Sequence, residues 1–268
     1  MKVASIQMVS GTQLDANLQH ARHALEQAAQ AGAELAVLPE YFCLMGHQDT
    51  DKLAFAEQPG QGPIQALLQQ AARELGLWVV GGTLPMATSD PHHVANSTLV
   101  WNPQGMCVAR YDKIHLFRFD NGRERYDEAA VLQAGHLPTT FELASRDGHT
   151  WRMGLSICYD LRFPELYRQM QADVLLVPAA FTYTTGQAHW GTLLKARAIE
   201  NLAYLVASAQ GGTHENGRQT WGHSVVYGPW GETLAEHAEG PGMALATLTP
   251  SRLQEVRTQL PALQHRKL

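Results

Sequence analysis

Two hydrophobic patterns take turns along the chain. Short runs that are apolar at consecutive positions occur at 2–8, LAVLP (35–39), WVVGGTL (78–84), WRMGLSIC (151–158), DVLLVPAA (173–180) and YLVASAQ (204–210). Runs of this length and density suit strands covered on both faces. Between them, apolar residues fall three and four apart. Leu18, Ala21, Ala24, Leu25, Ala28 and Ala29 share one helical face, with Asp15 placed to cap the helix and Gly32 to end it. Further helices are predicted over 63–75, closed by Gly76, over PELYRQMQ (164–171), over 187–203, and from Pro250 to just before Pro261. NSTLVW and MCVARY, joined by NPQG, read as a hairpin, because Pro and Gly suit a type I turn. HSVVYGPWGE (223–232) and 243–248 add further strands, whereas 113–136 is polar and without period.

Strand and helix alternation implies a layered α/β structure with some parallel pairing, and the hairpins make the sheets mixed. No low-complexity linker divides the 268 residues, so a single domain over 1–268 is expected. Composition narrows the function. Charged residues make up 17% and the net charge is −5, which argues against a nucleic-acid surface. The basic residues of 118–125 are mixed with acids and read as a solvated loop. No apolar run reaches the length of a membrane span and the N-terminus lacks a secretory h-region, so a cytoplasmic protein is expected. Cys43, Cys107 and Cys158 are odd in number and irregularly spaced, as in a chain with reduced thiols. The 13 histidines are scattered, and His92-His93 has no acidic or thiol partner at ligand spacing, so no metal is expected.

In mixed α/β sheets, function collects beyond the carboxyl ends of the strands. Three segments place a polar reagent there: LAVLPE at Glu40, MCVARYDK at Lys113 and WRMGLSIC at Cys158. A thiol with an ordinary pKa of about 8.5 carries little thiolate at neutral pH and needs a base or a cation nearby. Glu40 and Lys113 are the right types to supply both. Taken singly, each has a plainer reading. Cys158 could be a core thiol, Glu40 a strand-terminal acid, and Lys113 the partner of Asp112 in a surface ion pair.

The set of segments changes those odds. LPEYF, RYDKIHLF and CYDLRFPE resemble the three signature segments of the nitrilase, or carbon–nitrogen hydrolase, superfamily. The likeness continues through AAFTYTTGQAHWGTLLKARAIEN and WGHSVVYGPWGE to QLPALQHRKL, and so covers essentially the whole chain. The resemblance implies an αββα sandwich of two mixed sheets flanked by helices. It implies Glu40 as general base, Lys113 as the cation at the tetrahedral intermediate and Cys158 as nucleophile, with no metal or organic cofactor. A second glutamate usually follows the lysine. Glu128 is the match, with Glu124 as a rival, because this chain reads HLFRFDNGRERYDEAA where relatives commonly carry a Pro-Gly turn and Glu-Ser.

Cys-Tyr-Asp-Leu-Arg-Phe-Pro-Glu, TTGQAHW and the QHRKL ending resemble the subgroup that contains deaminated-glutathione amidase and omega-amidase, with the first slightly closer. The implied reaction is attack on a primary amide of a small carboxylate-bearing α-keto substrate, releasing ammonia through a thioester, with the Tyr159 N–H at the oxyanion. Nitrilase and N-carbamoyl hydrolase activities, or a non-catalytic binding protein on the same fold, are the alternatives. An anionic substrate needs a fixed cation, and Arg162 is suited to a bidentate carboxylate contact, unless it braces its own turn through Asp160 or Glu165. The resemblance adds Phe181 and Thr185 to the pocket. It also implies a homodimer or larger homo-oligomer, with residues 250–268 contributing.

Overall fold

The computed structural model describes residues 1–267; Leu268, the last residue of QHRKL, lies outside them. The first sheet runs in the order Gly242–Thr247, Lys2–Gln7, Leu35–Val37, Trp78–Val80, Val94–Trp101 and Leu84–Ala87, with Cys107–Asp112 paired to Val94–Trp101. The second runs Thr233–His237, Ser224–Tyr227, Tyr204–Ala209, Val174–Ala179, Thr150–Leu155 and Thr139–Ala144. Each has three adjacent parallel strands at its centre and antiparallel strands outside them.

Alternation along the central strands explains the layers. Val3, Leu35, Val37 and Val80 point into the core shared with the second sheet. Ala4, Ile6, Ala36, Leu38 and Val79 point the other way, against Leu18, Ala21, Leu25 and Ala28 of the helix Leu14–Gln30 and Ile64, Leu68 and Ala72 of Pro63–Leu75. Leu166, Tyr167, Trp190, Leu194 and Ala198, from the helices Pro164–Met170 and Tyr183–Asn201, cover the second sheet. The expected αββα sandwich is thus present. Its inner layer also has a polar seam. Ser5 donates to the Ala207 carbonyl at 2.6 Å and lies 3.0 Å from the Ser208 hydroxyl, and Ser208 donates to the Val37 carbonyl at 2.9 Å. Buried hydroxyls left unpaired would cost about 1–3 kcal/mol each, so these bonds let polar groups sit between two apolar faces.

Several details differ from the sequence reading. The first helix begins at Leu14 with Gln13 at its cap, so Asp15 lies inside the first turn, where its charge favours the helix dipole without capping. The helix expected over 187–203 spans Tyr183–Asn201, because Thr182 caps it by accepting from the Thr185 N–H. Aromatic and β-branched residues in that first turn hide the helical period. Thr139–Ala144 is a strand that alternates inward Phe141 and Leu143 with outward Glu142 and Ala144. The polar stretch 113–136 contains a small hairpin, Arg118–Asp120 with Arg125–Asp127. Cys107 is exposed at the start of its strand. Among the described residues no helix is long and apolar enough to cross a membrane.

Candidate active site

Glu40 lies just past the strand Leu35–Val37 of the first sheet, Lys113 just past Cys107–Asp112, and Cys158 past Thr150–Leu155 of the second. All three are buried and meet at one end of the sandwich. Two glycines permit the close approach. A Cβ on Gly82, whose φ is +50°, would sit 2.1 Å from the Pro39 carbonyl oxygen, and one on Gly135 would sit 2.2 Å from that of Asp112. These contacts lock the backbone ahead of Glu40 and of Lys113.

Lys113 Nζ donates to Glu40 Oε1 at 2.9 Å and lies 2.9 and 2.8 Å from the two oxygens of Glu128. Glu40 also accepts from Asn96 Nδ2 and the Ala180 N–H, each at 2.9 Å. Glu128 accepts from the Tyr41 hydroxyl at 2.9 Å and the Phe117 N–H at 2.7 Å. Burying an ion is costly, and only opposite charge with complete hydrogen bonding offsets it. Burial pushes the Lys113 ammonium down, but Glu128 and Glu40 outweigh it and hold the pKa above the ordinary lysine value. Burial pushes Glu128 up, yet the Lys113 charge and the donors from Lys113 and Phe117 hold it below the ordinary glutamate value. Glu124 is elsewhere, accepting from Thr184 Oγ1 at 3.0 Å on the hairpin surface.

Cys158 opens a tight 3₁₀ turn, Cys158–Arg162, in a left-handed conformation with φ of 48°. A non-glycine residue holds such a backbone only where the surroundings over-determine it. Asp160 does this. Its Oδ2 accepts from the Tyr111 hydroxyl at 2.7 Å and the Ile157 N–H at 2.9 Å, and its Oδ1 from the His115 N–H at 3.0 Å and His115 Nδ1 at 2.7 Å. Tyr111 and His115 flank Lys113, so the thiol turn and the lysine segment share one carboxylate. Burial, then the Glu40 charge, push the thiol of Cys158 well above the ordinary value, although Lys113 pulls it down. These surroundings favour the thiol over the thiolate.

Above the thiol is a narrow pocket with a free volume of about 10 Å³, room for about one water molecule. Tyr159, Arg162, Phe181 and Thr185 line it, together with Tyr41, Phe117 and Arg218. Arg162 does not brace its turn through Asp160 or Glu165. Its guanidinium lies 5.7 Å from the ring centres of Tyr159 and Phe181 and donates to His189 Nδ1 at 3.3 Å. Thr185 Oγ1 lies 2.9 Å from Thr182 Oγ1, so its hydroxyl is engaged at the helix start. The sequence reading missed Asn96, Tyr41 and Arg218. Tyr41 follows Glu40 directly, and Asn96 opens a predicted strand. Arg218, in the polar stretch HENGRQT, carries no signal of its own. Among the described residues no group of three or more His, Cys, Asp or Glu gathers as a metal site.

Two mixed sheets between helices, with a thiol, a lysine and two glutamates at their strand ends, define a thiol-dependent hydrolase of the carbon–nitrogen class. Residues 2–258 match the carbon-nitrogen hydrolase family, and the chain belongs to it. It is 41% identical over 269 residues to the deaminated glutathione amidase of Synechocystis sp., covering 98% of this chain and 97% of that protein. With the enzyme of the same name from Yersinia enterocolitica it shares 35% identity over 271 residues, covering 99% and 92%. The crystal structure of Saccharomyces cerevisiae Nit3, a member of branch 10 of the nitrilase superfamily, superposes with a TM-score of 0.88 at 28% identity, covering 100% of this chain and 97% of that one.

One prediction follows from the charge of Glu128. Because its folded pKa is depressed, ionised Glu128 contributes stability that is present above about pH 4.3, the ordinary glutamate value, and is lost as pH falls through the depressed value. Glu128→Gln should therefore melt below the wild type at pH 7, and the gap should narrow as pH drops towards 3. Melting temperatures of both proteins across pH 3–7 check this. A gap that stays constant would mean the Glu128 charge adds nothing to the fold.

Proposed function

We propose that the chain hydrolyses the γ-amide of a small α-keto acid, with deaminated glutathione as its substrate. The observation that carries this reading is the buried Glu40–Lys113–Glu128 cluster beside the Cys158 thiol, beneath a cavity that presents arginine side chains. The names of the relatives from Synechocystis and Yersinia support the choice of substrate.

In this reading Cys158 sulfur attacks the amide carbon while Glu40 takes the thiol proton. Lys113 and the Tyr159 N–H hold the oxyanion. The C–N bond then breaks, and Glu40 returns the proton to the departing nitrogen. Water, deprotonated by Glu40, attacks the thioester; the C–S bond breaks and the thiol regains its proton. Glu128 keeps Lys113 in place and charged. Deaminated glutathione contains no primary amide, since its γ-carbonyl is joined to the cysteine nitrogen. The leaving group is then the amine of cysteinylglycine, and ammonia leaves only from a primary amide such as α-ketoglutaramate. Both substrates yield 2-oxoglutarate. We further place the protein in the cytoplasm as a homo-oligomer, on the grounds of its reduced thiols and its family.

The test is 2-oxoglutarate release from deaminated glutathione and from α-ketoglutaramate in parallel. A higher kcat/KM on deaminated glutathione is expected. Preference for α-ketoglutaramate would make the protein an omega-amidase, and inactivity on both would overturn the substrate assignment.

A further inference from the structure

Two arginines line the cavity, and neither has a carboxylate within ion-pair distance among the described residues. Arg197 and Arg257, also packed into the protein, hold Glu200 and Asp173 at 2.9 and 2.6 Å. Arg218 instead lies 5.0 Å from the ring centre of Tyr126, with Nη1 3.9 Å from Met45 sulfur. Its buried Nε has no hydrogen-bond partner. Asp49 and Glu40 act on it only at longer range. The position is built rather than accidental. Arg218 starts the return of the hairpin Gly211–Thr213 with Gln219–Trp221. Asn216 pins that turn by donating to the Met45 and Gly46 carbonyls at 3.3 and 2.6 Å and accepting from the Arg218 N–H at 2.9 Å.

The two guanidiniums occupy different walls. Arg162 is on the thiol turn, among Tyr159, Phe181 and His189. Arg218 is on the side of Tyr126, Met45 and Tyr41. Glu40, which must hand its proton to the departing nitrogen, adjoins both walls: Tyr41 follows it directly, and the Ala180 N–H beside Phe181 donates to it at 2.9 Å. Arg162 stands on the same turn as Cys158, which keeps the acyl part, and this leaves Arg218 for the leaving group. A buried guanidinium N–H without a partner, as in Arg218, favours an anion strongly, and with the half-buried Arg162 on a different wall the pair suits a substrate with a carboxylate at each end. Resting on the substrate reading above, we propose that Arg218 binds the carboxylate of the leaving amine, the glycine carboxylate of deaminated glutathione. α-Ketoglutaramate has no such group. Arg218 would then set the preference between these two substrates.

The experiment measures kcat/KM of wild type, Arg218→Gln and Arg218→Lys on deaminated glutathione, on the same compound with its glycine carboxylate capped as an amide, and on α-ketoglutaramate. For wild type, capping should lower kcat/KM about 10- to 100-fold, mostly through KM, as expected for losing a charge-assisted pair. Arg218→Gln should lose a similar factor on the uncapped substrate, and capping should then cost it little. The ratio of deaminated glutathione to α-ketoglutaramate activity should fall accordingly, with Arg218→Lys between the two. Wild type that is indifferent to capping, or variants that still discriminate, would overturn the assignment of Arg218. Equal losses on all three substrates would overturn it too, giving Arg218 a purely structural role. Wild type inactive on deaminated glutathione would overturn the substrate reading itself and this inference with it.

Discussion

Cys158→Ala should lower turnover by a factor on the order of 10⁴ to 10⁶, the scale seen when a covalent nucleophile is removed. No thioester can form without the sulfur, and the neighbouring groups offer no replacement, because Glu40 and Glu128 are already committed to Lys113. Residual activity above about one thousandth of wild type would rule out the thioester route. Alkylation supplies the companion measurement. Cys43 is buried and, unlike Cys158, does not line the cavity, so it should stay unlabelled. Cys107 is exposed and would obscure the result, which makes Cys107→Ser the proper background. One equivalent of iodoacetamide should enter that protein as activity is lost, and none should enter it once Cys158 is also alanine. The labelling rate should keep rising with pH beyond the range where an ordinary cysteine levels off, because the Cys158 thiol is pushed up by burial and by Glu40.

Lys113→Met should damage both fold and chemistry. It keeps the length of the side chain and removes the only cation bonded to both glutamates among the described residues. Breaking a buried ion pair by deleting one partner costs about 3–5 kcal/mol, and loss of an oxyanion donor costs about 10²–10³ in kcat. The pH response should reverse. Two buried carboxylates without their cation share a proton. The folded variant then binds more protons than the unfolded chain near neutrality, so its stability should rise as pH falls from about 7 to 5. Wild type should show no such rise. Adding Glu128→Gln to Lys113→Met should recover part of the loss by removing one of the two stranded charges. Denaturant unfolding at both pH values, with kcat on the preferred amide, checks each part. A variant of wild-type stability at pH 7 would mean the cluster is not held by charge.

The layers were legible because burial on both faces leaves a simple mark, as in LAVLP, where Leu35 and Val37 enter one core and Ala36 and Leu38 the other. The positions of Glu40, Lys113 and Cys158 at strand ends were legible for the same reason. What was hidden depended on contacts made across the chain. The pairing of Lys113 with Glu128 and not Glu124 follows from how the hairpin 118–127 folds back, and nothing in HLFRFDNGRERYDEAA encodes that directly. Arg218 is one basic residue in a polar turn until Asn216 fixes that turn against Met45 and Gly46. Asp160 looked like a partner for Arg162. Its oxygens are instead taken by Tyr111, Ile157 and His115.

The serine seam between the sheets bears on how the chemistry is kept aligned. Glu40 and Lys113 ride on one sheet and Cys158 on the other, so their mutual geometry is only as good as the registry of two greasy plates. Interdigitated side chains already oppose sliding, and a directional hydrogen bond across the layer narrows the registry further. Ser208 hooked on the Val37 carbonyl, three residues before Glu40, acts as a dowel between the plates. It adds little to the strength of the joint. It helps keep Glu40 and Cys158 from drifting past each other, which proton transfer between them would not tolerate.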